Sequence, residues 1–371
     1  MSTELNIGIV GAGSFAGFAT KAFLKVPGVK TIAVMDIDKV LVDKMAIELN
    51  AKPYLDYETF LGDQDIDLVY IATPPFLHYL QSKMALRAGK HVICEKPAAL
   101  HVCEAEELSK LAQTLHQLYV VNLMQRYNPR YDVVRLIINE KLLGNFLHGF
   151  FENYASNESL NGEHWFWDES KSGGIFIEHG VHFFDMFSGW LGEGEVVNAV
   201  QLQRPNIKTK IIDRVQATVL YAKGTVNFYH GFDQQEILDR QEMRLQFEKG
   251  DITLFGWVPV RIRLHGLMQK EQLESLFGLT GEFSIVHHDE PGKKDQKTRE
   301  RLNNIIPEEL ITAEYGNVSE KQCRYQKMLE TMIRDQWDWI KDHKHIRVID
   351  ANNAVQSLKM AEEAKRIAQK F

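Results

Sequence analysis

The chain has 371 residues, 44% hydrophobic and 25% charged, which is too long for one ordinary core and typical of a two-domain globular protein. A formal net charge of -7, without any long Lys/Arg run, excludes a dedicated nucleic-acid binder, since phosphate binding needs a concentrated basic surface. No apolar stretch reaches bilayer length and no basic-then-apolar leader opens the chain, so a cytoplasmic protein away from membranes is expected.

Leu5–Val10 is a short apolar run expected as a strand, followed by a glycine-rich turn and a helix over Phe15–Lys25. Thr31–Met35 reads as a second strand, and Asp38 as the N-cap of a helix running towards Asn50. Asp67–Ala72 and His91–Cys94 read as buried strands, separated by a helix over Phe76–Ala88 that Gly89 ends. A helix over Val102–Leu118 and a strand over Tyr119–Leu123 complete the series. Strands alternating with helices at this spacing predict a doubly wound parallel sheet, a first domain of residues 1–123.

From residue 124 the pattern changes. Asn128 and Pro129 open a helix to Glu140. Strand-like segments follow at Phe146–Asn153, Val196–Leu202, Val215–Tyr221, Thr225–Phe232, Met243–Phe247 and Asp251–Phe255. They predict an α/β second domain, residues 124–371, with an open, largely antiparallel sheet and a few covering helices. Asp289–Arg301 is expected as a charged loop, and residues 262–319 carry no assignable pattern. Two helices close the chain, Glu320–Lys344 behind a Ser319 cap and Asn352–Lys370, the last expected to pack back on the first domain.

Gly11-Ala12-Gly13-Ser14-Phe15-Ala16 lies between the first strand and the first helix, where a dinucleotide-binding turn belongs. Gly11 permits the tight turn, Gly13 lets the backbone approach a diphosphate, and Ala16 lets the helix pack close to the sheet. The N–H groups opening the helix then face the phosphates. Asp36 ends the second strand twenty positions after Ala16, where a carboxylate accepts hydrogen bonds from the adenosine ribose and repels a 2′-phosphate. NAD is therefore favoured over NADP, with Lys39 the one nearby cation.

Two further segments carry chemistry. Cys94-Glu95-Lys96-Pro97 ends a predicted strand, on the side of an α/β sheet where ligands bind, so Lys96 either faces the cleft or is a surface lysine before a proline turn. On a regular helix Glu178, His182 and Asp185 fall at i, i+4 and i+7 and share a face, placing an imidazole between carboxylates. That suits a general base near neutral pH, and equally a satisfied polar set at a domain interface. His179 points about 100° away from Glu178 on such a helix, so Glu178, His179 and His182 are not expected to hold a metal. Cys94, Cys103 and Cys323 fit no ligand spacing either and are expected as reduced thiols. His164-Trp165-Phe166-Trp167-Asp168 offers aromatic faces beside a carboxylate, suited to a sugar ring through Trp165 and Asp168 or simply to a core.

Taken in order, GAGSFA, ATPPFLHY, EKPAAL and GGIFIEHGVHFFD resemble the Gfo/Idh/MocA oxidoreductase family over roughly residues 5 to 255. The resemblance implies a Rossmann domain joined to an open-faced sheet domain, with NAD or NADP between them and sugars or cyclitols as substrates. It implies Lys96 as the cleft lysine assisting proton transfer and His182 as the general acid/base. Thr73, Pro74 and His78 then run beside the cofactor, Glu95 and Pro97 complete the lysine's turn, and Tyr127 and Asn128 stand at the strand-to-helix junction, with Tyr127 near substrate. Glu178 departs from the aspartate common at its position. A homodimer or homotetramer is implied by the resemblance alone.

The expected activity is hydride transfer between a nicotinamide and a secondary alcohol of a sugar or polyol. Glu178 or Asp185 would orient His182. The rivals are a glycosidase or lyase that uses tightly held NAD for transient oxidation, and a non-catalytic NAD-binding sensor. A proton-transfer pair such as Lys96 and His182 has no use in the latter.

Overall fold

A computed structural model describes residues 4–156, 160–204, 211–269, 271, 272, 276, 284–289, 309–316 and 320–371. The first sheet is built from β1 (Leu5–Val10), β2 (Val29–Met35), β3 (Lys52–Tyr54), β4 (Leu68–Ile71), β5 (His91–Cys94) and β6 (Tyr119–Val121). All pairings are parallel, in the order β3-β2-β1-β4-β5-β6, the doubly wound arrangement whose strand order reverses beside β1. Strands covered on both faces are apolar throughout, as in Leu68-Val69-Tyr70-Ile71, which is wholly buried.

The connecting helices are α1 (Ser14–Phe23), α2 (Lys39–Leu49), α3 (Tyr57–Leu61), α4 (Pro75–Arg87) and α5 (Val102–Leu115). Asp38 caps α2, accepting from the N–H groups of Val40 and Leu41, and left-handed Asn50 ends it. β3 and α3 are too short to show a period and lie outside the sequence expectation. The three cysteines are free thiols, as expected.

Asn128 accepts from Arg130 N at 3.0 Å and, with Pro129, opens α6 (Pro129–Asn139). The second sheet contains β7 (Phe146–Ser156), β8 (Gly194–Gln203), β9 (Ile212–Tyr221), β10 (Gly224–Gln234), β11 (Arg240–Phe247), β12 (Gly250–Phe255), β13 (Arg261–Met268), β14 (Ser284–Asp289), β15 (Glu309–Tyr315) and β16 (Gln369–Lys370). Its order is β14-β15-β13-β12-β11-β7-β10-β9-β8-β16, antiparallel except where β7 meets β10 and β8 meets β16. Strict alternation, as in β9 with Asp213, Val215, Ala217, Val219 and Tyr221 buried, gives each strand one inward face. β13 and β15 occupy the stretch without assignable pattern, while residues 290–301 and Ser319 lie outside the described residues.

The remaining helices are α7 (Glu169–Ser172), α8 (Val181–Leu191), α9 (Lys321–Lys341) and α10 (Ala351–Ile367). α10 packs on α8 and on α5, where Glu362 receives His101 at 3.0 Å and the Val102 N–H at 3.3 Å. α9 packs on α1, with Tyr325 against Phe15 and Phe18. The buried apolar side chains of both sheets form one continuous core. Among the described residues no helix is long and apolar enough to cross a membrane.

Candidate active site

Where the first sheet reverses its order, Gly11 adopts φ +93°, and a Cβ there would sit 2.7 Å from the carbonyl oxygen of Ala72. The turn can cross β4 this closely only as glycine. A Cβ on Gly13 would meet nothing within 4 Å, and Gly13 opens α1 without any side-chain cap, so bare N–H groups face open space at the helix start. That space and those donors fit a diphosphate. Asp36, just beyond β2, accepts from Ala12 N at 2.6 Å and from Asp38 N at 2.9 Å, which holds its carboxylate beside the turn. Lys39 is paired with Asp43 at 2.6 Å.

From this turn a cleft of about 830 Å³ runs between the strand ends of the first sheet and the second sheet. Phe15, Thr73, Glu95 and Lys96 line it from one side, and Trp165, Glu178, His179 and His182 from the other. Thr73 donates to Gln81 at 2.6 Å. His78 does not reach the cleft; it bridges the carbonyls of Thr73 and Pro97, each at 2.7 Å, tying the two cleft-edge loops together. Glu95 accepts from Tyr70 and, at 2.7 Å, from Asn122, and burial raises its pKa.

Lys96 donates to the carboxylate of Glu178 and, at 2.9 Å, to the carbonyl oxygen of the same residue. An ammonium has three N–H bonds, so one remains for the cleft. Burial first, and then the Lys96 charge, push His182 well below the ordinary histidine range, so its imidazole is neutral. Its Nδ1 is buried without a hydrogen-bond partner, which leaves Nε2 as the nitrogen that can meet the cleft.

The regular-helix geometry expected around these residues is corrected here. Phe176–Gly180 forms a π-helical turn ahead of α8, so the regular helical spacing does not hold across Glu178 and His182. Gly173 makes room: a Cβ there would lie 2.7 Å from Ile177. The wider turn puts Glu178, His179 and His182 all on the cleft. Asp185 turns away into a bidentate ion pair with Arg126, at 2.9 Å to Nε and 2.8 Å to Nη2. Neither carboxylate therefore orients His182: Glu178 serves Lys96, and Asp185 serves Arg126.

Two other expectations are corrected. The Tyr127 hydroxyl, buried on the short 3-10 helix that follows β6, donates to Asp335 of α9 at 2.6 Å and does not line the cleft. Asp168 is the N-cap of α7, accepting from Ser170 N at 2.9 Å, with Lys171 at 3.5 Å. Residues that the sequence did not signal complete the walls: Asn153 of β7, Phe232 of β10, Arg240 of β11, Trp257 after β12, and Lys321 and Tyr325 of α9. Alternation marks such strand residues as inward or outward, but nothing local says that this end of the sheet faces a ligand.

A diphosphate-fitting turn opening onto a cleft with a paired lysine and a neutral histidine defines a dinucleotide-binding oxidoreductase. Residues 5–123 match the family model described as oxidoreductase family, NAD-binding Rossmann fold, and residues 131–253 match the GFO/IDH/MocA C-terminal domain. The chain belongs to the GFO/IDH/MocA oxidoreductase family. It is 25% identical over 258 residues to the uncharacterized oxidoreductase YrbE of Bacillus subtilis (strain 168), covering 68% of this chain and 67% of that protein. Glucose-6-phosphate 3-dehydrogenase of the same organism is 25% identical over 209 residues, 55% of this chain and 59% of the relative's length. The fold superimposes with a TM-score of 0.76, at 16% identity and 99% coverage of both chains, on KijD10, a 3-ketoreductase from Actinomadura kijaniata in complex with NADP and TDP-benzene.

Proposed function

We propose that the protein interconverts a secondary alcohol and a ketone on a sugar or related polyol, using NAD. The observation that carries this reading is the juxtaposition, on one cleft, of Phe15 just after the glycine turn, Lys96 with its third N–H, and the neutral ring of His182. When bound, the nicotinamide supplies the hydride acceptor at C4. Nε2 of His182 takes the hydroxyl proton as the C–H hydride leaves and the C=O bond forms; in reduction the same nitrogen returns it. The Lys96 N–H left over from its Glu178 contacts hydrogen-bonds the reacting oxygen and stabilises negative charge developing there. Trp165 offers a ring face for the sugar.

NAD is preferred to NADP here because a 2′-phosphate beside the glycine turn would meet the Asp36 carboxylate, and the neighbouring Lys39 is already paired with Asp43. Glucose-6-phosphate 3-dehydrogenase, 25% identical over 59% of its own length, and the likeness in fold to the 3-ketoreductase KijD10 support this redox chemistry.

The test is NADH formation across a panel of sugars, cyclitols and their acids. One substrate class should respond, and Lys96→Ala and His182→Ala should each lower turnover at least a hundred-fold while NAD still binds. Release of sugar from a glycoside with no net NADH would replace this reading by redox-assisted glycoside cleavage. Full turnover in His182→Ala would remove the assigned base.

A further inference from the structure

A general base needs its ring held in one orientation, yet His182 receives no hydrogen bond at Nδ1 and no carboxylate serves it. What does touch it is Trp257, edge-on at 5.1 Å between centroids and 85° between planes. Trp257 is in turn fixed by a polar chain. Its indole N–H donates to Nε2 of His179 at 3.1 Å, and Nδ1 of His179 lies 2.9 Å from Nδ1 of His230.

The protons in this chain follow from the donor inventory. An indole nitrogen only donates, so Nε2 of His179 must carry a lone pair. A neutral His179 then has its proton on Nδ1 and donates it to His230, whose own proton lies on Nε2. Burial pushes both rings far below the ordinary histidine range, His230 to about 3, so neither charges near neutral pH. The tautomers are thus unique: no other neutral arrangement makes both bonds. The histidines are locked by rings as well, His179 against Phe183 at 5.3 Å and Phe232 at 5.2 Å, and His230 against Phe151 at 5.1 Å. On its other side the indole packs on Tyr325 at 5.7 Å.

We propose that His230 and His179 are positioning residues that hold the Trp257 indole as the backstop orienting His182. This rests on the reading of His182 as the base. The chain replaces, with neutral groups, the carboxylate that would otherwise hold such an imidazole.

The experiment compares His179→Leu, His179→Gln and Trp257→Phe in the full chain. Gln keeps an acceptor where Nε2 stood, Leu removes it, and Phe keeps a ring without the N–H. With ¹⁵N-labelled tryptophan and ¹³C-labelled histidine, the Trp257 indole resonance should move upfield and the His182 ring resonance should shift in His179→Leu. Both should return towards wild type in His179→Gln. With the substrate found in the NADH panel, His179→Leu and Trp257→Phe should each lower kcat about ten- to a hundred-fold, with the KM for NAD unchanged. Their double variant should lose no more than either alone, and His179→Gln should recover most of the turnover. Wild-type kcat in His179→Leu or Trp257→Phe overturns the proposal even if His182→Ala is dead. If no panel member is oxidised, the dehydrogenase reading falls on its own, and the resonances decide here: an unmoved His182 ring in His179→Leu overturns the backstop.

Discussion

Asp185 gives the sharpest separation between stability and chemistry. Its side chain is 1% exposed, and its two oxygens accept from Nε and Nη2 of Arg126 at 2.9 and 2.8 Å, while Nη2 also reaches its main-chain oxygen at 2.9 Å. Asp185→Asn keeps the volume and one acceptor but leaves the guanidinium, itself only 16% exposed, without a counter-charge. Removing one partner of such a pair costs about 3–5 kcal/mol; the surviving amide and main-chain oxygens put this case near the lower end, about 3 kcal/mol. Equilibrium urea unfolding, followed by tryptophan fluorescence, reads the loss. Turnover per folded molecule should stay within about three-fold of wild type, since the carboxylate does not face the cleft. Adding Arg126→Met should recover part of the loss by removing the stranded charge. An Asp185→Asn protein as stable as wild type, but inactive, would refute the reasoning and return Asp185 to the site.

Three further outcomes are expected. Burial holds His230 at about 3 and His91 at about 4, both below the unfolded value near 6.5. The unfolded chain therefore binds more protons, so their contribution is complete above pH 6.5 and is lost as pH falls towards the folded values. Each accounts for about 2 kcal/mol between pH 7 and pH 5, and a urea midpoint constant over that range would contradict this. Asp36→Ser should weaken NAD binding about ten-fold or more and strengthen that of NADP, read by titration of each cofactor; unchanged preference would show that the carboxylate does not meet the ribose. Glu178→Gln should leave NAD binding intact and lower kcat about ten-fold, because Lys96 exchanges a charge-assisted bond for a neutral one. An equal fall in NAD affinity would instead mean that Glu178 shapes the cofactor site.

The first sheet was legible because its signals are local. Short, mostly apolar strands alternate with helices, and Asp38, Gly89 and Asn128 act where the sequence put them. The second sheet was legible as alternation, but not in full: β13 and β15 lie in the stretch that carried no assignable pattern, and a strand's period says nothing about which neighbour it pairs with. Lys96 and His182 could be found by motif and do line one cleft. Trp257, Tyr325 and Lys321 could not, because they come from turns and helices far apart in the chain and meet only in three dimensions.

The expectation that failed most instructively was the stripe of Glu178, His182 and Asp185. It assumed an unbroken α-helix, and the residues that break it are just ahead of it. Gly173 and Gly174 adopt φ +82° and +88°, conformations that lead the chain into the wide turn, and Gly173 lacks the Cβ that Ile177 would strike. Gly173 leaves the space into which the π turn packs. The consequence is a division of labour that a regular helix would not produce. Glu178 is left to hold the lysine and Asp185 to hold Arg126, while His182 between them meets the Trp257 indole, which itself donates to the buried pair of His179 and His230.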